Sequence, residues 1–297
     1  MMEQSRPFII ARYTAAILIV MIFMFPIFWF ALTSIKPISA VFDKDGVIWF
    51  DFVPTMENYR VTLLGESSID VNQNTRSDFG TSGGNSYDGR GSILSSIIVA
   101  VGSTILSAGM GMLAAYGLSR MNFRGSQGLL NWILSQRFLP PIAIIIPLVF
   151  IFHDMGLRDT YVGLIIAHTL INLPIAVLLM KSFIDDIPVD IDHAAMIDGA
   201  TRWQVFWKVI LPMSKGGLAA TAVLCFIFSW TEFLLALFLT SSIRTIPVKI
   251  TTFVTSTGSE WGYISALGTS AIIPGFIFIL LVQNHLVRGL TMGAIKD

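Results

Sequence analysis

The sequence predicts an all-α integral membrane protein, and three observations carry that expectation. Hydrophobic residues make up 54% of the 297 and charged residues only 13%, whereas a water-soluble domain carries roughly a quarter charged residues. Mean hydropathy is +0.72, so the excess apolar surface must face something apolar. Six stretches, Tyr13–Ser34, Ile93–Leu118, Leu129–Phe152, Tyr161–Met180, Leu218–Thr240 and Leu267–Val287, supply the roughly 20 apolar residues needed to cross ~30 Å of hydrocarbon. Formal charge is zero, which gives no footing for nucleic acid, and the single cysteine, Cys225, excludes an internal disulfide.

Taken in order, the first stretch follows Arg6 and Arg12 but ends in Phe-Trp-Phe-Ala-Leu-Thr-Ser. It is too long for a signal peptide and lacks a small-residue cleavage site, so it reads as a retained helix. Placing the N-terminus in the cytoplasm puts ten Lys and Arg residues in the inside segments and three (Arg158, Arg244, Lys249) in the short outside loops. That bias predicts six transmembrane helices with both termini cytoplasmic. The chain then forms one permease-like domain, 1–297, with a long extracytoplasmic loop (35–92), a cytoplasmic loop between helices 4 and 5 (181–217) and a cytoplasmic tail (288–297). Within the first loop, residues 65–92 are rich in Gly, Ser, Asn and Asp. Such a segment lacks the apolar surface to order itself and is either a flexible insertion or a surface ordered by a partner.

The cytoplasmic loop 181–217 is the most informative. Pro188 opens a short helix with Asp190 and Asp192 in its first turn, where the helix dipole favours negative charge. Ala194 and Ala195 leave a nearly side-chain-free face. Gly199 permits a turn that a bulky residue resists, and Asp198 is placed to cap the helix that follows. On that second helix Trp203, Phe206, Trp207 and Ile210 recur at the spacing of one apolar face, with Arg202 and Lys208 on a more polar side. The bland reading of this loop is a generic amphipathic interface helix.

Ala194-Ala195, Asp198-Gly199-Ala200, then Phe206 and Pro212, resemble the EAA loop of binding-protein-dependent ATP-driven importers. In that family the loop is a coupling helix that docks in a groove of the cytoplasmic ATPase. The resemblance implies an ATPase-coupling role for His193, Ala194, Ala195, Asp198, Gly199, Ala200, Trp203, Phe206 and Pro212. One departure is plain: His193 stands where the family has an acidic residue, so an ion pair from that position requires Asp192 or a protonated His193. Further segments resemble the maltose-type sugar permease, the shorter partner of a heterodimer: 52–59, 113–120, 137–141, 146–148, 230–233 (with Thr231 where asparagine is usual) and 286–296. The resemblance implies a multi-pass subunit of the bacterial inner (plasma) membrane. Its partners would be a second permease, two ATPase subunits and an extracytoplasmic solute-binding protein. It implies a sugar or sugar-like solute, and ATP and Mg used by the partner subunits with no cofactor bound by this chain.

Polar groups inside the apolar runs are costly and face a bundle interior or a water-filled path. Arg137, His168, Asn172, Glu232 and Asn284 are such groups, and Arg137, Asn172, Trp230 and Glu232 are the candidates for a translocation path. The competing reading is that they bond helix to helix and touch no solute; Arg137 is a partner for Glu232 by depth. No G-x-x-x-x-G-K-[ST] loop occurs, and the four histidines are scattered without metal-ligand spacing. The chain is therefore not expected to be an enzyme. The alternative to an importer subunit is a stand-alone proton-coupled carrier with Glu232 and His168 as its relay.

Overall fold

A computed structural model of the chain describes residues 6–41, 48–65, 88–121, 123–255 and 258–292, with 6–10, 255 and 284–292 as backbone. It is mainly helical. The elements are α1 (Arg6–Ser34), α2 (Ile38–Val41), α3 (Glu57–Tyr59, continued by a π turn Arg60–Leu64), α4 (Arg90–Arg120), α5 (Ser126–Phe138) and α6 (Pro141–Asp154). There follow α7 (Tyr161–Asp185), α8 (Val189–Ile197), α9 (Arg202–Met213), α10 (Lys215–Thr231), α11 (Leu234–Leu239), α12 (Ile246–Thr251) and α13 (Trp261–Met292). A two-stranded antiparallel hairpin, β1 (Val254–Thr255) and β2 (Gly258–Ser259), precedes α13. Among the described residues four helices are long and apolar enough to cross a membrane, or up to six spans if each of two bent pairs counts as one.

The bends have sequence causes. α5 and α6 meet at 99°. Pro140 and Pro141 lie back to back, and each disfavours a helical conformation in the residue before it. Leu139 (ψ 118°) and Pro140 (ψ 128°) are accordingly extended, so the expected single run Leu129–Phe152 is two helices. Pro147, Pro174 and Pro274, by contrast, remain inside continuous helices. The expected run Leu218–Thr240 is also divided: α10 stops at Thr231 and α11 starts at Leu234.

The chain forms two compact packing units, one of residues 1–90 and 249–272 and one of 91–248 and 273–297. In the first, Asn58 organises the end of α1: its Nδ2 donates to the carbonyls of Ser34 and Lys36, each at 2.9 Å, and Ser34 Oγ lies 2.8 Å from Tyr59 Oη. Side chains along Ala11–Phe28 are exposed, and they are almost all apolar, as a lipid-facing helix requires.

In the second unit, α4 turns a face of small residues (Ser95, Ser96, Val99, Ala100, Ser103, Ser107, Ala108, Gly111, Ala115) into the interior. Small residues let membrane helices approach closely. A Cβ on Gly111 would lie 2.9 Å from the backbone carbonyl carbon of Ala176 in α7, so only glycine fits that crossing. One apolar cluster gathers Val99, Ile145, Phe152, Leu164, Leu235 and Leu239; a second, around Tyr116, Met180, Ile184 and Phe206, lies beneath α8 and α9.

The loop between α6 and α7 is latched to the segment after α11 by Asp159. This residue adopts φ 58°, and its carboxylate accepts from the backbone N–H groups of Ser241 and Ser242 (3.0 Å each) and from Ser242 Oγ (2.8 Å). Burial pushes its pKa up, but the hydrogen bonds from Ser241, Ser242 and Ile243 outweigh it and hold the carboxyl well below the usual range. A depressed folded-state pKa contributes stability above the unfolded value of ~3.9 and loses it as pH falls through the folded value. D159N is therefore expected to unfold earlier than the parent near neutral pH, with the gap narrowing below about pH 4. Thermal midpoints in detergent across pH read this directly, and a gap that widens in acid would exclude the latch.

Candidate functional site

The segment 186–214 is built by local signals. Pro188 is extended (ψ 132°) at the N-cap of α8, with Asp190 and Asp192 in the first turn. α8 ends in a left-handed glycine turn: Gly199 has φ 86°. Ala200 N donates to Ala195 O at 3.0 Å, and Gly199 N donates to Met196 O at 3.1 Å. These two bonds are the Schellman pattern, which satisfies the last carbonyls of a helix and favours glycine at the left-handed position. The cap of α9 is not Asp198, as expected, but Thr201. Its Oγ1 accepts from Gln204 N, while Gln204 Oε1 accepts from Thr201 N at 2.8 Å. The reciprocal pair holds the entry to α9, and Asp198 is left exposed.

This segment is welded to the ends of the long helices. Val205, Phe206 and Ile210 are buried against Met112, Ala115 and Tyr116 of α4 and Met180 and Ile184 of α7. Phe206 packs at a tilt against Tyr116 (5.1 Å between centroids), stacks on Trp203 (5.5 Å) and meets Trp207 edge-on (5.0 Å). Arg120, the last residue of α4, donates from Nε to Asp192 Oδ2 at 2.5 Å and from Nη2 to Ile187 O at 2.7 Å. Both side chains of this ion pair are nearly solvent-free, at 4% and 6% exposure. Asp192 is therefore engaged inside the chain and is not free to replace the missing acidic residue at 193.

What remains outward is a compact surface. His193, Ala194, Asp198 and Gly199 are exposed, Ala195 and Ala200 are half-buried, and Trp203 and Trp207 are about half exposed. Pro212 is exposed near the end of α9, whereas Phe206 is buried and supports the surface from below. Ile197 was not singled out by its position in the sequence, yet it is 86% exposed. An aliphatic side chain held out on a rigid turn between an alanine face and two tryptophans is suited to a partner's apolar groove.

The intramembrane polar residues divide differently. Asn172 is buried; its Nδ2 donates to Ser229 Oγ at 2.8 Å and Cys225 O at 3.2 Å, and Ser103 Oγ sits 2.7 Å from Ser229 Oγ. These bonds tie α4, α7 and α10 together, the helix-to-helix role. Trp230 stacks on Phe226 at 5.4 Å. Arg137 is exposed, with its guanidinium 5.1 Å from the Phe228 centroid and Nη1 donating to Ile171 O at 3.3 Å. The structure does not bring it to Glu232 as expected by depth. Glu232 instead sits in the break between α10 and α11, where its two carboxylate oxygens accept from Leu235 N at 3.0 Å and one also from Ala236 N at 3.4 Å. Oε2 is 3.6 Å from Nε2 of the buried His168. Asn284, the 66–87 part of the insertion and the whole tail 288–297 lie outside the residues whose side chains are described.

A glutamate one residue before the N-cap, whose carboxylate accepts from first-turn N–H groups of the six-residue α11, explains an intramembrane carboxyl without proton traffic. E232Q keeps one accepting oxygen and E232A keeps none. E232A is expected to cost the ~1 kcal/mol of a lost cap and so to lower the unfolding midpoint, with E232Q closer to the parent. A proton relay instead predicts that both variants lose uptake alike, because each removes the titrating group.

The comparisons with known proteins follow the same lines. A family model described as "Binding-protein-dependent transport system inner membrane component" matches residues 107–292, which include α8 and α9. The sulfoquinovosyl glycerol transport system permease protein SmoH of Agrobacterium fabrum is 31% identical over 287 residues, 96% of this chain and 93% of that protein. The trehalose transport system permease protein SugB of Mycobacterium tuberculosis is 35% identical over 277 residues, 92% of each. A crystal structure of a bacterial ABC transporter involved in import of the acidic polysaccharide alginate shares the fold, with a TM-score of 0.71 at 23% identity over 96% of this chain and 99% of that one.

Proposed function

Because the chain belongs to the inner-membrane component family of binding-protein-dependent transport systems, and so is a permease subunit of such an importer, we propose that it moves a sugar or sugar-like solute inward by alternating access. The proposal takes residues 1–297 as one permease domain with six spans: α1, α4, α5 with α6, α7, α10 with α11, and α13. Both termini are cytoplasmic, and α8 and α9 lie on the same side. A second permease completes the pathway, a solute-binding protein delivers the solute to the outer face, and two ATPase subunits drive the cycle with ATP and Mg. This chain itself binds no cofactor and catalyses no reaction.

One observation carries the coupling role: an exposed face (Ala194, Ile197, Asp198, Gly199) fixed without slack to the ends of α4 and α7. When the ATPase dimer closes, a docked α8 moves as a rigid piece with Arg120 and Tyr116, and the motion reaches α4 directly. A loosely tethered loop absorbs the same motion. The solute class is argued from the sugar and sugar-conjugate importers among the relatives. Mild-detergent purification of the tagged chain from its native host, followed by mass spectrometry, tests the assembly. Recovery with a P-loop ATPase and a second permease is the expected result. A chain recovered alone across several detergents refutes it.

A further inference from the structure

Within the first packing unit, at the end of α1, lies a cavity of about 270 Å³ whose lining includes Trp29, Thr33, Lys36, Ile48, Trp261 and Ser265. Lys36 is 3% exposed. Its ammonium donates to Ile48 O at 2.5 Å and sits 4.4 Å from the Trp29 ring centroid and 5.5 Å from that of Phe52. Among the described residues no carboxylate lies within ion-pair distance of it. Thr33, 7% exposed, presents an Oγ1 with no hydrogen-bond partner. A buried ammonium with donors to spare and an unpaired hydroxyl on one cavity wall are costly unless an acceptor fills the space.

The surroundings indicate which acceptor. Trp49 packs on Phe25 and Trp29, and Phe50 on Phe28, with ring centroids 5.0 to 6.5 Å apart, and Trp49 and Phe50 are 44% and 71% exposed. Exposed aromatic rings at the end of an apolar helix mark the depth where hydrocarbon meets headgroups. The apolar surface of α1 runs from this belt along Ile17–Phe28 and is exposed. A phosphodiester held at Lys36 therefore has its acyl chains leaving along α1.

We propose that this cavity is a binding site for an anionic phospholipid, its phosphate on Lys36 and Thr33 and its glycerol end against Trp29 and Trp261. The site anchors the end of α1 and the start of the first outside loop to the leaflet, through Ile48 and Asn58.

Native mass spectrometry of the purified transporter complex, titrated with phosphatidylglycerol and phosphatidylcholine, tests it. The parent is expected to prefer phosphatidylglycerol by about fivefold, the scale of one lysine at an anionic lipid surface. K36R should keep that preference and K36Q should lose it; T33V, which leaves Lys36 bonded to Ile48, should weaken it without affecting assembly. Equal retention of the two lipids, or an unchanged preference in K36Q, overturns the proposal. So does full occupancy by inorganic phosphate that blocks phosphatidylglycerol, since the site then takes a free anion. Asp43 and Asp45 lie outside the described residues. A preference that appears only in D43N/D45N shows Lys36 paired within the chain and also refutes the site.

Discussion

Truncating Arg120 to alanine is expected to destabilise the chain by ~3–5 kcal/mol, because it leaves Asp192 as an uncompensated buried charge. That is a large share of the 5–15 kcal/mol by which typical folded domains are stable, so poor accumulation in the membrane is the first expected sign. Asp192 Oδ1 has no hydrogen-bond partner, so Arg120 is the group that compensates it. R120K is expected to fall between. Lysine supplies a point charge but cannot reproduce the fork that reaches Asp192 and Ile187 O together. The decisive variant is R120M/D192L. Replacing both partners of a buried pair with apolar residues is often near neutral, so its unfolding midpoint should recover most of the loss seen in R120A. A double variant as unstable as R120A would show that the pair is not what holds α8 to α4. An R120A chain as stable as the parent would show that the pair is not buried in the assembled transporter.

That pair also marks where sequence reasoning stops. The six apolar runs, the proline that opens α8 and the glycine that ends it are local signals, and each has a local physical cause. The Thr201-x-x-Gln204 box is equally local, and it stands beside Asp198, a residue type that also favours N-caps. Arg120 and Asp192, by contrast, are separated by 72 residues, and neither carries a pattern that names the other. Pro140-Pro141 announced a disturbance in the helix, but a 99° bend depends on what packs either side of it. Glu232 was legible as an expensive group. Its use as a cap was not, because that requires knowing that α10 stops at Thr231. In the segment proposed to dock, helical spacing groups Phe206 with Trp203 and Trp207, but the structure buries Phe206 and leaves the two tryptophans about half exposed. A buried aromatic and two exposed ones share the same helical spacing, and only the packing against Tyr116 separates them.

Gly199→Asp is expected to abolish solute uptake while leaving the membrane-inserted chain folded. The structure separates the two effects. A Cβ at 199 meets no atom within 4 Å, so nothing in this chain is displaced by a larger residue. The cost inside the chain is the left-handed backbone, φ 86°, about 1–2 kcal/mol for an ordinary residue and less for aspartate, which visits that region more readily. Outside the chain, the new carboxylate stands beside exposed Asp198 and the alanine face, where a close-fitting partner must desolvate it unpaired. Gly199→Ala is the control: it carries the full backbone strain with one methyl group and no charge. Uptake into intact cells, with ATPase co-purification and the thermal midpoint of each variant, distinguishes the causes. Uptake retained in G199A and lost in G199D, at similar midpoints, assigns the loss to the docked face. Equal loss in both assigns it to the turn, because then strain alone is sufficient. Uptake at the parental rate in G199D removes the coupling role from α8 altogether, since no docking groove that fits Gly199 closely accommodates a buried unpaired carboxylate.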